Sequence, residues 1–376
     1  MRVKVLFLSI IFVLQCKALV SDREFFGENR LFVDIMNGES SKEIIKLKKN
    51  KKRAIEIYKK HLSNSGLALK LSAADRLDSD FKGYSADIEW NLFKDGVFGY
   101  SKKSKRQSLE YELYYDNILN NAQQNYLLVS LFEIDDIKRY IDKVYNHKKL
   151  YYLRQAYIKS KKKLKDGLVT KQNFNKIANL YRKAKDRTKN KIISKKLFDK
   201  SFKNFILNIE DAKLWNEREI IEKAKKFNEI LNSQRLKIKK EDYISTWADD
   251  VEANIYLSKR RYTFIDREDS IVGAKVKIPL ELKESGDLVK LNRHILSLKL
   301  KSEEALLEKK IHHFYVNFLT HTKEIRDLLS KLEKFTPLDD LQKAQKIEIE
   351  QNIWSFRVAA LKDLLQLQFL TGIKLF

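Results

Sequence analysis

Two prolines, Pro279 and Pro337, and ten glycines are all that 376 residues offer for interrupting regular structure. Helix interiors lose roughly 3 kcal/mol to proline and roughly 1 kcal/mol to glycine, so a chain this poor in both predicts long, unbroken helices. A single cysteine, Cys16, excludes an internal disulfide. The chain has no glycine-rich phosphate loop, and its Ser, His and Asp residues form no nucleophile motif. Among six histidines, His312 and His313 are neighbours that point to different sides of a helix, and His321 lies further along the chain with no cysteine to assist. Neither an enzyme, a metal site nor a cofactor is expected. After the N-terminus, no apolar run approaches the ~20 residues that a membrane-spanning helix needs.

What the sequence has in quantity is charge: 76 Lys and Arg against 51 Asp and Glu, for a formal net charge of +25. These lysines are dispersed among glutamates along the whole chain rather than gathered in a stripe with aromatic platforms. That pattern describes a solvated surface, and nucleic acid is not an expected partner. The start of the chain, "MRVKVLFLSIIFVLQCKALVS", has basic Arg2 and Lys4, an apolar run from Val5 to Leu14 and then small or polar residues. It reads as a secretory signal peptide over 1–18. Cys16 stands where a lipoprotein carries its lipidated cysteine, whereas cleavage after Ala18 would remove it; both outcomes fit the residues.

The remaining chain divides into an N-terminal helical segment, 19–80, and two similar repeats, 81–236 and 237–376. Each repeat opens with a pair of alternating segments. In the first (84–115), Ala86, Ile88, Trp90 and Leu92 alternate with Asp87, Glu89 and Asn91, while Leu109, Tyr111 and Leu113 alternate with Glu110 and Glu112. In the second (249–282), Val251, Ala253, Ile255 and Leu257 are followed by Val272, Ala274, Val276, Ile278 and Leu280, with polar residues between. Period-2 alternation with one apolar face predicts two β-hairpins, each closed by a loop of about a dozen residues. Each hairpin leads into a helical pair, 117–236 and 288–371, whose apolar residues recur at helical spacing, as in Phe174, Ile177, Leu180, Tyr181 and Ala184. The fold class is mainly α with a small β part: long antiparallel helical hairpins plus four amphipathic strands.

Strands of about ten residues suit either a sheet on a soluble core or a tilted crossing of a bilayer. Four are too few to close a membrane barrel, for which the smallest single chains use eight. If these strands enter lipid, several copies must close the barrel together.

Four stretches resemble the TolC-like family of outer-membrane efflux proteins. They are "KKKLKDGLVTKQNFNKIANLYRKAK" (161–185), "IVGAKVKIPLELKESGDLVKLNRHILSLK" (271–299), "LDDLQKAQ" (338–345) and "ALKDLLQLQFLTGIKLF" (360–376). The resemblance implies a homotrimer with a twelve-stranded β-barrel in outer-membrane lipid and an α-barrel tunnel in the periplasm. It further implies passive export, with an inner-membrane transporter supplying energy and a periplasmic adaptor docking to the helical tips. The first tip would be Gly167, Leu168, Val169 and Thr170. Gly167, the only glycine between Gly99 and Gly273, would end one helix, and Thr170 would cap the next. The second tip would be Thr336, Pro337, Asp339 and Asp340, whose carboxylates suit a helix start and, repeated in three protomers, would crowd an entrance. The rival reading is a helix-rich, lipid-anchored surface or periplasmic interaction protein without a channel.

Overall fold

The computed structural model describes residues 26–27, 42–61, 67–75, 82–92, 99–188, 198–199, 203–244, 252–262, 267–278 and 286–372. The expected signal peptide and Cys16 lie outside them. In chain order the elements are β1 (Phe26–Gly27), α1 (Lys42–His61), β2 (Leu67–Asp75), β3 (Lys82–Asn91), α2 (Gly99–Lys165) and α3 (Lys171–Arg187). They continue with β4 (Phe198–Asp199), α4 (Lys203–Leu207), a 3-10 turn (Ile209–Asp211), α5 (Glu217–Phe227) and α6 (Glu229–Glu241). The chain closes with β5 (Glu252–Tyr262), β6 (Arg267–Lys277), α7 (Gly286–Lys334) and α8 (Asp340–Thr371). Two compact units result: Lys42–Ala122 with Asn228–Leu306, and Gln123–Phe227 with Leu307–Phe376.

The first unit holds a four-stranded antiparallel sheet in the order β2-β3-β5-β6. The second expected hairpin is present, but its strands run on to Tyr262 and restart at Arg267, leaving a far shorter connection than a dozen residues. Cross-strand charge pairs, Lys259 with Glu268 at 3.1 Å and Arg261 with Glu268 at 3.9 Å, extend the ladder past its apolar part.

The first expected hairpin (84–115) is corrected. Segment 106–115 is helical, and β3 pairs instead with β2, inside the segment 19–80 expected to be helical. The physical reason lies in Leu109 and Leu113, both buried, with Tyr111 between them 49% exposed. The i, i+4 spacing of the two leucines is satisfied by a helix seam, so the alternation was incidental. In β2, Leu67, Leu69 and Leu71 carry the true period-2 signal.

The helical pair 117–236 needs a second correction. Its first helix starts earlier, making α2 a 67-residue helix about 100 Å long. Its second member breaks into α3, α4, α5 and α6. Asparagines mark two of these starts. The Asn228 side chain accepts hydrogen bonds from the amides of Ile230 and Leu231 (3.0 and 3.1 Å), and Asn216 accepts from that of Arg218 (3.1 Å).

In the second unit, α8 is the central helix. Ile353, Val358, Leu361, Leu364 and Leu367 are at most 1% exposed, and α8 packs on α4, the 3-10 turn and α5. Arg357, buried on α8, pairs with buried Glu210 at 3.0 Å and donates to the Leu207 carbonyl oxygen at 2.5 Å. Arg326 donates to the Glu210 carbonyl oxygen. These bonds tie the irregular stretch 207–210 to two long helices. Removing one partner would leave the other charge buried without its counterion. Among the described residues no helix is long and apolar enough to cross a membrane.

Candidate membrane face and docking turns

The sheet turns its apolar side outward. Leu67, Trp90, Ile255 and Ala274 form one cross-strand row, and Leu69, Ile88, Leu257 and Val272 form the next. Ala253 and Val276 add a row on one side, and Leu71 and Ala86 half a row on the other. At about 3.4 Å per residue the band stands roughly 20 Å tall. Its members are well exposed: Leu69 66%, Leu71 74%, Val272 75% and Val276 64%.

The opposite face is polar and more enclosed. Lys70 pairs with Glu89 (2.6 Å), the Ser85 hydroxyl donates to Asp87 (3.4 Å), and Ser258 is 1% exposed. The Tyr256 ring lies across Gly273, where an added Cβ would sit 2.4 Å from the ring. This cross-strand aromatic covers a glycine that would otherwise leave a gap.

β2 and β6 are edges, each paired on one side only among the described residues. By the antiparallel register, the starts of β2 and β5 and the ends of β3 and β6 share one end of the sheet. The strand ends nearest in sequence to the long helices therefore share that end, and the end of β2, start of β3, end of β5 and start of β6 share the other.

The first helical turn is built as a Schellman closure. Gly167 has φ +69°, the Leu168 amide donates to the Lys163 carbonyl (2.8 Å), and the Gly167 amide donates to that of Leu164 (3.2 Å). Thr170 is the N-cap of α3, its hydroxyl accepting from the Asn173 amide at 3.3 Å. Leu168 is 72% exposed and Val169 half-buried. Behind the turn, Tyr157 stacks on Tyr181 at 5.1 Å and lies 5.6 Å from Phe174.

The second turn is closed differently. Asp339 is the N-cap of α8 and accepts from the Gln342 amide (2.7 Å), while Gln342 Oε1 accepts from the Leu338 amide (2.6 Å). This reciprocal arrangement is a capping box displaced by one residue. Asp340 is not free to face an entrance: Lys159 lies 2.5 Å away, Lys343 lies 4.0 Å away, and only 11% of the Asp340 side chain is exposed. Thr336 is exposed and Pro337 half-buried, and Leu338, which the sequence did not single out, is 86% exposed.

His312 faces Glu217 (2.8 Å) and His321 faces Asp363 (2.9 Å), so the histidines are drawn to different partners. Burial pushes the Asp363 carboxyl above the usual range, against the pull of His321, His313 and Lys362. Among the described residues no group of His, Cys, Asp or Glu is arranged to hold a metal ion.

No family model matches the sequence, and no curated protein matches it. Among solved structures the chain is similar to CusC, described for its folding and transmembrane channel formation, at 9% identity over 93% of this chain and 94% of that one, with a TM-score of 0.49. It is also similar to the outer-membrane protein VceC of Vibrio cholerae, at 8% identity over 92% and 95% of the two chains, TM-score 0.49. A third is the MtrE outer-membrane channel of Neisseria gonorrhoeae in its open state, at 12% identity over 93% and 91%, TM-score 0.45.

Proposed function

We propose that the chain is one protomer of an outer-membrane exit duct that passively conducts substrates in a tripartite efflux or type I secretion system. The observation that carries this reading is the inverted sheet. Rows of Leu, Ile, Val and Trp are exposed on one face, while on the other Ser258 is buried, Asp87 and Glu89 are half-buried, and exposed Lys70 pairs with Glu89. In water such a face would be unfavourable by about 25 cal/mol per Å² of apolar surface left uncovered; in hydrocarbon it is at home.

The two open edges would each present unpaired backbone groups to lipid, which a bilayer does not tolerate. Three copies would pair β6 of one protomer with β2 of the next and close twelve strands without an edge. The helical turns would then face the periplasm, with Gly167, Leu168, Val169 and Thr170 as the main docking site for a periplasmic adaptor linked to an inner-membrane transporter. The second turn, Thr336 to Asp340, would have a lesser part, since its acids are already engaged within the chain.

Extraction and native mass measurement test the proposal. The protein should leave membranes only with detergent and should run as a trimer that heat dissociates. A water-soluble monomer after removal of the signal would favour the lipid-anchored interaction protein instead. A photo-reactive residue at Leu168 in living cells should capture a periplasmic adaptor.

A further inference from the structure

The two helical turns differ in charge. From Lys161 to Lys171 there are five lysines, Lys161, Lys162, Lys163, Lys165 and Lys171, against one acid, Asp166. All five are exposed, and none has an ion-pair partner among the described residues. From Lys334 to Lys343 the lysines at those two positions are balanced by Asp339 and Asp340. Lys159, just behind the first turn, is already held by Asp340.

Like charges packed this closely on adjoining helix turns repel. Among the described residues, Asp166 is the one acid within this stretch to offset them. At their centre stands one large exposed apolar side chain, Leu168, on a turn that its Schellman bonds, its Thr170 cap and the Tyr157–Tyr181 stack hold in one conformation. A rigid apolar knob inside a cationic collar is complementary to an apolar socket with an acidic rim. A lipid surface is a poorer match, because interfacial helices present a continuous apolar face and not a single leucine.

We infer that the first turn docks onto a protein surface whose carboxylates surround an apolar socket. The inference rests on reading Gly167 to Thr170 as the docking turn, and it adds the chemistry of the partner. Attraction of this kind mainly speeds encounter and fixes orientation, while Leu168 supplies the buried contact.

The test uses the full-length protein in lipid nanodiscs with three probes: a helical peptide carrying glutamates around a leucine pair, the same peptide with glutamines, and phosphatidylglycerol vesicles. The glutamate peptide should bind, and the glutamine peptide should bind roughly tenfold more weakly, the effect of losing several exposed charge pairs. A Lys161→Gln, Lys163→Gln, Lys165→Gln, Lys171→Gln variant should show the same loss, with trimer yield and helical circular dichroism unchanged. Raising the salt should weaken the native interaction and leave the variant nearly unaffected.

Equal binding of both peptides, or undiminished binding by the lysine-neutral variant, would overturn the inference. So would vesicle binding that depends on the same lysines and exceeds that of the peptide. If the charge dependence holds but the photo-reactive residue at Leu168 captures no adaptor in cells, it is the docking reading that fails and not the partner chemistry.

Discussion

The sheet and the helical unit that centres on α8 follow opposite rules. In the helical unit the apolar side chains are inside: Ile353, Leu361 and Leu364 are wholly buried, and lysines and glutamates cover the outside. In the sheet the apolar side chains are exposed, and polar residues, among them the Lys70–Glu89 pair and buried Ser258, occupy the other face. Each arrangement is sensible for one solvent only. Under the proposed function each region has its own solvent, water for the helical unit and hydrocarbon for the apolar face of the sheet.

Six substitutions at five positions sharpen or break that comparison. The largest effect is expected in the helical core, where Leu364→Ala should cost about 2–5 kcal/mol of stability by leaving a cavity. Thermal unfolding followed by circular dichroism would read it, in detergent and in lipid alike. Next comes Ile255→Asp on the outward face of β5, expected to cost about 2 kcal/mol or more of insertion energy. Asn254→Asp, one residue away on the polar face, should be mild, and equal losses at both positions in a membrane-assembly assay would contradict the inversion.

Gly167→Ala should cost roughly 1 kcal/mol, because φ +69° strains any residue with a Cβ even though open space surrounds this one. Gly167→Asn should cost less, as asparagine tolerates that region. The smallest effect concerns Glu350, whose carboxyl is raised by burial against the pull of Lys346 and Lys148. Because the folded state holds this proton more tightly than the unfolded chain does, stability from this group is greatest below the ordinary carboxylate range. It is lost as pH rises through the raised pKa. Glu350→Gln should therefore stabilise the helical unit by at most about 1 kcal/mol at neutral pH and flatten the pH dependence of its melting temperature.

Much of this arrangement was legible in the sequence wherever one signal stood unopposed. The helices expected at 288–334 and after 338 are α7 and α8 to within a few residues. Gly167 and Thr170 close and reopen helices as their chemistry suggests. The failures came where two periods coincided. Leu109, Tyr111 and Leu113 fit a strand and a helix equally well, and the absence of glycine and proline after Gly99 let the helix extend over them. β2 went unread because Leu67, Leu69 and Leu71 stand beside lysine-rich α1. The breaks after Arg187 carry neither glycine nor proline, and only the asparagine caps Asn216 and Asn228 announce the later ones. The engagement of Asp340 by Lys159 joins residues 181 positions apart, beyond the reach of any local pattern.

The most direct measurement of the central claim is the surroundings of the two sheet faces in a membrane. Fluorescent labels carried on cysteines introduced singly at Ile88, Ile255 and Val272, and at Asn254 and Lys275, would be tested against a quencher on lipid chains and a quencher in water. The account predicts that labels at the first three positions are quenched by the lipid-borne group and shielded from the aqueous one, with the reverse at Asn254 and Lys275. Aqueous quenching at all five positions, with none from lipid, would contradict it.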